Sequence, residues 1–196
     1  MIIQVRRIIF ISGLAMLTTL AMLVPLRPGA AAGSAVPPAR DTHGSGDIPD
    51  TQAFVTFRSS TGGYALDVPE GWARTVNGAA VRFTAQLDGI RVGVVRAAAA
   101  PTTAGARAAV AAHGQSGTTV RVTQVTNVRL PAGGVVLVEY TSTSDPDPVT
   151  GKRVRLENNA YLFFNNGKLA TLTLWAPAGA DNADQWRRVA RSFRWL

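Results

Sequence analysis

Two stretches of the chain carry a hydrophobic pattern that names their structure. Residues 79–88 read AAVRFTAQLD, with Val81, Phe83, Ala85 and Leu87 separated by Arg82, Thr84 and Gln86. Period two is the mark of a strand with one buried face. Asp88-Gly89 follows, a pair suited to the positive φ angles of a tight primed turn, and Ile90, Val92 and Val94 continue the pattern. A turn at Asp88-Gly89 pairs Leu87 with Ile90, Ala85 with Val92 and Phe83 with Val94. All the apolar residues then share one face. A second hairpin turns at Asn166-Gly167. It sets Phe164 opposite Leu169, Phe163 opposite Ala170, Leu162 opposite Thr171 and Tyr161 opposite Leu172. Here both faces are apolar: Tyr161, Phe163, Leu172 and Leu174 on one, Leu162, Phe164, Leu169 and Trp175 on the other. Such a pair is central and covered on both sides, with helices as the natural cover, and the core is expected to be densest here.

The remaining elements are weaker in pattern. Residues 54–59 and 64–68 flank Thr61-Gly62-Gly63 as a short hairpin. Residues 119–130 and 135–142 flank Pro131-Ala132-Gly133-Gly134, and 153–165 lead into Asn166-Gly167. Tight turns between most strands imply a largely antiparallel sheet. Near the end, Trp186, Val189, Ala190 and Phe193 form one apolar arc at helical spacing, with Arg187, Arg188, Arg191 and Arg194 on the opposite arc. Asp181 is expected to cap this helix, and Asp184 to pair with Arg188 four residues on. A second helix is expected over 103–113, between Pro101 and Gly114. The order of strands, helix, strands, helix reads as α+β, with helices packed on an antiparallel sheet.

The N-terminus changes what the composition means. Of 196 residues, 20 are Lys or Arg and 12 are Asp or Glu, a formal charge of +8; 46% are apolar and none is Cys. Arg6 and Arg7 precede a 19-residue apolar run over 8–26, and small residues follow, with Ala30 and Ala32 framing an A-x-A cleavage site. This is the layout of a secretory signal peptide over residues 1–32. The run is also near the length that spans a bilayer, so an uncleaved anchor is the alternative; the cleavage site favours removal. Both readings put the rest of the chain outside the cytoplasmic membrane. Removal leaves 17 basic and 12 acidic residues, so the charge falls to +5. Residues 33–52 hold Gly, Ser, Pro and Asp, with Ile48 as the sole large apolar group toward their end. They read as a mobile linker in which His43 is solvated. The domain itself is 53–196, and it has no cysteine with which to form a disulfide.

With these elements in place, the sequence resembles a known family. GGYALDVPEGW (residues 62–72), followed by the V-x-F strand at Val81 and Phe83, is similar to the opening of Mog1/PsbP-like domains. DPVTGK (147–152), NGKLATLTLWAPAGADN (166–182) and Trp186 with the closing SFRW (192–195) resemble exported actinobacterial proteins of that type. The resemblance covers most of 54–196, and its motifs are turns, a strand opener and a helix face. It implies an α/β/α sandwich around an antiparallel sheet and a non-enzymatic role. One group in the family assists the oxygen-evolving photosystem, and another binds a small nuclear-transport GTPase. No residues here match a partner-binding motif of either, and a shared fold does not supply a function.

A search for chemistry yields little. There is no G-x-S-x-G elbow, and the sole domain histidine, His113, sits at a helix end where it suits the dipole. No metal-ligand spacing, phosphate loop or other cofactor motif is present. Glu139 and Glu157, on neighbouring expected strands, are the only carboxylate pair worth testing for hydrolysis. The loop TSTSDPDPVTGK is polar and held between strong strands, so Asp145, Asp147, Lys152 and Arg153 form a candidate contact surface. Arg187 and Arg191 extend it on the last helix. Tyr64, Trp72 and Trp175 read as core, and Trp195, which fits the arc least, as exposed. The basic residues are not interleaved with exposed aromatics, which argues against nucleic acid. The expectation is a monomeric, exported or membrane-tethered module that binds a protein or envelope component. A carboxylate hydrolase and a carrier of a small apolar ligand held between sheet and helix are the alternatives.

Overall fold

The computed structural model describes residues 46–113 and 118–196. Arg6, Arg7, Ala30, Ala32 and His43 lie outside the described residues, and with them the export signal. Among the described residues, ten strands and two helices run in the order β1 Phe54–Ser59, β2 Tyr64–Pro69, β3 Ala73–Asn77, β4 Ala80–Ala85, β5 Asp88–Arg96, α1 Thr103–Ala111, β6 Val120–Leu130, β7 Gly133–Thr143, β8 Arg155–Asn165, β9 Lys168–Pro177, α2 Ala183–Ser192 and β10 Arg194–Trp195. Seven strands form one sheet in the order β3-β4-β5-β9-β8-β7-β6, with every pairing antiparallel. A small second sheet, β1-β2-β10, joins the start of the domain to its end.

The Asn166-Gly167 hairpin has the expected register, Phe164 opposite Leu169 and Tyr161 opposite Leu172. Both turn residues have positive φ, 46° and 73°, as a primed turn requires. Its two strands lie at the centre of the large sheet; both are covered on one face, whereas on the other face α1 reaches β8 and leaves most of β9 open, so the expected cover is complete on one side only. On one face Tyr161, Phe163, Ala170, Leu172 and Leu174 meet Val189 and Ala190 from α2, Phe193 just after it, and Tyr64 and Leu66 from β2. The Phe163 and Phe193 rings stack with centroids 4.1 Å apart. On the other face Val136, Val138, Ala160 and Leu162 meet Ala106 and Val110 of α1. The result is an α+β sandwich with one helix on each face of an antiparallel sheet.

The other hairpin corrects the register read from the sequence. Its turn is Gln86-Leu87, two residues early. Ala85 pairs with Asp88, Phe83 with Ile90 and Val81 with Val92. Gln86 takes the positive φ, 50°. The shift is even, so Val81, Phe83, Ile90 and Val92 keep their shared buried face. The cause is tertiary. Gly89 lies opposite Trp175 on β9, so close beneath the indole that a side chain at 89 would overlap the ring. The glycine serves this approach, and Asp88 is drawn into the strand with it.

Four further expectations change. Asp181 does not cap α2; the cap position is Asn182, whose side chain makes no capping bond. Asp184 pairs with Arg187 at 2.7 Å, and Arg188 lies over the Phe54 ring instead, 4.2 Å from its centroid. Trp195 is half-buried, edge-on to Phe193. Residues 46–52 are also not free of the domain. Ile48 is 5% exposed, its N–H donates to Asn182 Oδ1 at 2.6 Å, and Asn182 Nδ2 donates to the Gly46 carbonyl at 2.7 Å.

Candidate functional site

α1 covers only half of its face of the sheet. It packs on β6 and β7. The part of that face built from β4, β5 and β9 is left as the floor of a groove of about 510 Å³. The register fixes the floor as a grid. One row across the strands runs Thr84, Gly89, Trp175, Asn158 and Tyr140. The next runs Arg82, Arg91, Thr173, Ala160 and Val138. A third holds Gly93, Thr171 and Leu162. Ala109, Val110 and His113 at the end of α1 form one wall, and Ser144 and Asp145 stand at the rim.

Arg82 and Arg91 are direct cross-strand partners on this floor. Like charges in that position repel, by a few tenths to about 1 kcal/mol. Among the described residues no carboxylate pairs with either guanidinium. The Trp175 indole leans across Gly89 toward β4 and meets the Arg82 guanidinium, 4.7 Å from the ring centroid. Burial pushes the Tyr140 hydroxyl up to about 12, an effect that the nearby positive charge of Arg91 partly offsets. Asn158 is buried beneath and tied by its amide to Ser142 Oγ at 3.0 Å and to the Tyr140 carbonyl at 3.3 Å. The floor is therefore polar, fixed and positively charged.

Ser144, His113 and Asp145 all reach the groove, but they do not form a catalytic relay. His113 Nδ1 lies 2.8 Å from the Ala109 carbonyl. Ser144 Oγ donates to the Asp145 carbonyl and accepts from the Val154 N–H. No nucleophile-to-base hydrogen bond links them, and such a link is the first geometric requirement of that chemistry. Among the described residues no three His, Asp or Glu side chains cluster as metal ligands. No helix among them is long and apolar enough to cross a membrane.

Glu139 and Glu157 fall on the opposite, α2 face, on neighbouring strands β7 and β8. Glu139 faces Asn159, and Thr141 faces Glu157. They share a cleft of about 400 Å³ with Arg155, Asn182 and Trp186. The candidate contact residues divide. Asp147 turns inward on its own loop, where Oδ1 accepts from the Val149 and Thr150 N–H groups and from Thr150 Oγ1. These bonds hold its carboxyl below the usual range. Arg153 donates to the Ser144 carbonyl, and Lys152 is exposed at the loop end. Asp145 borders the groove, whereas Arg187 and Arg191 line a shallow surface beside Pro131 and Arg188. The structure thus brings Asp145 to the groove, and leaves Arg187 and Arg191 on another element.

Trp175, expected in the core, is half-buried on the groove floor, and the pairing of Arg82 with Arg91 escaped the sequence for one reason. A turn at Asp88-Gly89 sets Arg82 opposite Val95, so the arginine pair does not form. The signal was present as two arginines at polar positions of one hairpin, but the correct register depends on Trp175, which is distant in the chain.

No protein-family model matches the sequence, and no curated protein matches it. Solved structures do share the fold. Cyanobacterial PsbP (CyanoP) from Synechocystis superposes with a TM-score of 0.55 at 19% identity, over 77% of this chain and 98% of that one. The Ran-binding protein Mog1p of Saccharomyces cerevisiae superposes with a TM-score of 0.50 at 10% identity, over 74% of this chain and 96% of that one. The fold is Mog1/PsbP-like. At these identities the likeness concerns architecture alone.

Proposed function

We propose that this chain is a non-catalytic binding or accessory domain of the cell envelope, exported or held at the outer face of the cytoplasmic membrane. The observation that carries this reading is the groove on the α1 face. It is rigidly floored and charged, and its serine and histidine are each hydrogen-bonded to backbone groups rather than to one another. A prebuilt concave site without a catalytic relay suits recognition. A fold shared with a Ran-binding protein agrees with such use, and the leader at residues 1–32 supplies the address. The test has two parts. Cell fractionation with intact-mass measurement is expected to find the chain outside the cytoplasm, shortened to begin near Gly33 or retained whole in the membrane. The same protein is expected to turn over none of a panel of esters, glycosides and phosphoesters.

The shared cleft of Glu139 and Glu157 supports the second reading, a carboxylate hydrolase. Glycoside turnover that disappears in both Glu139→Gln and Glu157→Gln would establish it and displace the first.

A further inference from the structure

We infer that the α1-face groove is a binding site for a small amphiphile with an oxyanion head, held between Arg82 and Arg91. The inference rests on the binding-domain reading and specifies its ligand. Its argument begins with the two guanidiniums. Their residues are direct cross-strand partners, where like charges weaken a sheet, and among the described residues neither has a carboxylate partner. An oxyanion between them replaces repulsion with two charge-assisted contacts. The planar fork of Arg is well matched to carboxylate or phosphate oxygens.

The surroundings set the rest of the ligand. Stacking on Trp175 orients Arg82, and Trp175 is in turn seated on Gly89, so one half of the clamp is positioned before any ligand arrives. Arg91 is flanked by Thr173, whose hydroxyl offers a further donor on the same floor. Toward α1 the lining turns apolar, through Ala160, Leu162 and Val110. Charge at one end and aliphatic side chains at the other fit a molecule with a charged head and an apolar body. A groove of about 510 Å³ is of the size that takes a small organic ligand. A purely apolar cargo leaves the arginine pair unrelieved, and a bare anion leaves the apolar wall wet.

Carboxylate and phosphate heads share this chemistry, and the experiment separates them. The full chain is titrated with 1-anilinonaphthalene-8-sulfonate, an aromatic sulfonate whose fluorescence rises in an apolar site. The bound probe is then displaced with decanoate, decyl phosphate, decanol or inorganic phosphate. Saturable binding is expected, with displacement by decanoate, decyl phosphate or both; whichever is stronger names the natural head. Decanol and inorganic phosphate are each expected to be at least about ten-fold weaker. Arg82→Gln and Arg91→Gln should each weaken the probe about ten-fold or more, while Arg129→Gln, an equal loss of charge on β6, leaves it unchanged. Thermal unfolding checks that the two groove variants remain folded; loss of the repulsion should leave their midpoints equal to the parent's or higher. The inference is overturned if the probe does not saturate, if decanol matches decanoate, or if Arg129→Gln weakens binding as much as Arg91→Gln. Any of those results leaves the accessory-domain reading intact, because that reading falls only on turnover or on a cytoplasmic location.

Discussion

Asp88 is the residue whose environment departs most from its chemistry. It is 7% exposed, and among the described residues its Oδ1 has no hydrogen-bond partner. Burial, reinforced by the negative charge of Asp47, raises its carboxyl to about 7 from an ordinary 3.8. The folded state therefore holds this proton more tightly than the unfolded chain does. Its stabilising contribution is full below about pH 4 and is lost as pH rises through about 7. Chemical denaturation at pH 5 and pH 8 should show the parent weaker at pH 8 by on the order of 3 kcal/mol from this group. Asp88→Asn should remove most of that difference by strengthening the protein at pH 8. An unchanged pH profile in the variant would show that Asp88 does not titrate in this range. The sequence offered Asp88 only as half of a turn motif. Its burial follows from Gly89 being needed beneath Trp175, which no local pattern reveals.

Among the elements, the segment 46–52 and helix α2 hold each other. Asn182 stands at the cap position of α2, yet its side chain is spent on the Ile48 N–H and the Gly46 carbonyl. Gly46, at φ 92°, lies against Pro177 so tightly that a side chain would collide with the ring. Gln185 on the next turn reaches Asp50 Oδ1 at 2.8 Å. Asn182→Ala should cost about 2 kcal/mol, because two buried backbone groups lose their partners. It should also open a new cleavage site within 46–52 in limited proteolysis. An unaltered digestion pattern would show that burial of Ile48 alone fastens the segment. Composition made these residues look like linker because Gly, Pro and Asp dominate them, and a single isoleucine is a weak signal. The helix itself was plain from Trp186, Val189, Ala190 and Phe193. Its charge pairs were not, since Arg188 has an aromatic ring within reach that only β1 provides.

For the whole molecule, the central hairpin is what couples the two layers. Phe163 is 1% exposed and packs on α2 and β2, while its neighbour Leu162 packs toward α1 on the other face. Phe163→Ala should cost about 3–5 kcal/mol. The loss should appear as one cooperative transition that moves both layers together, since one pair of strands serves both cores. Separate transitions followed by near- and far-ultraviolet circular dichroism would show instead that the layers unfold independently.

The central hairpin, the arginine-faced helix and the α+β order were set by the sequence alone. Asn166-Gly167 has one favourable turn geometry, and that turn sets the register of the strands beside it. The other hairpin, the docked segment 46–52 and the groove were decided by tertiary structure. In the first, two turn positions preserve the same buried face, so local pattern cannot choose between them, and the indole of Trp175 resting on Gly89 makes the choice. That contact sets Arg82 opposite Arg91. It links residues 86 positions apart in the chain, and it creates the charged floor from which the ligand is inferred.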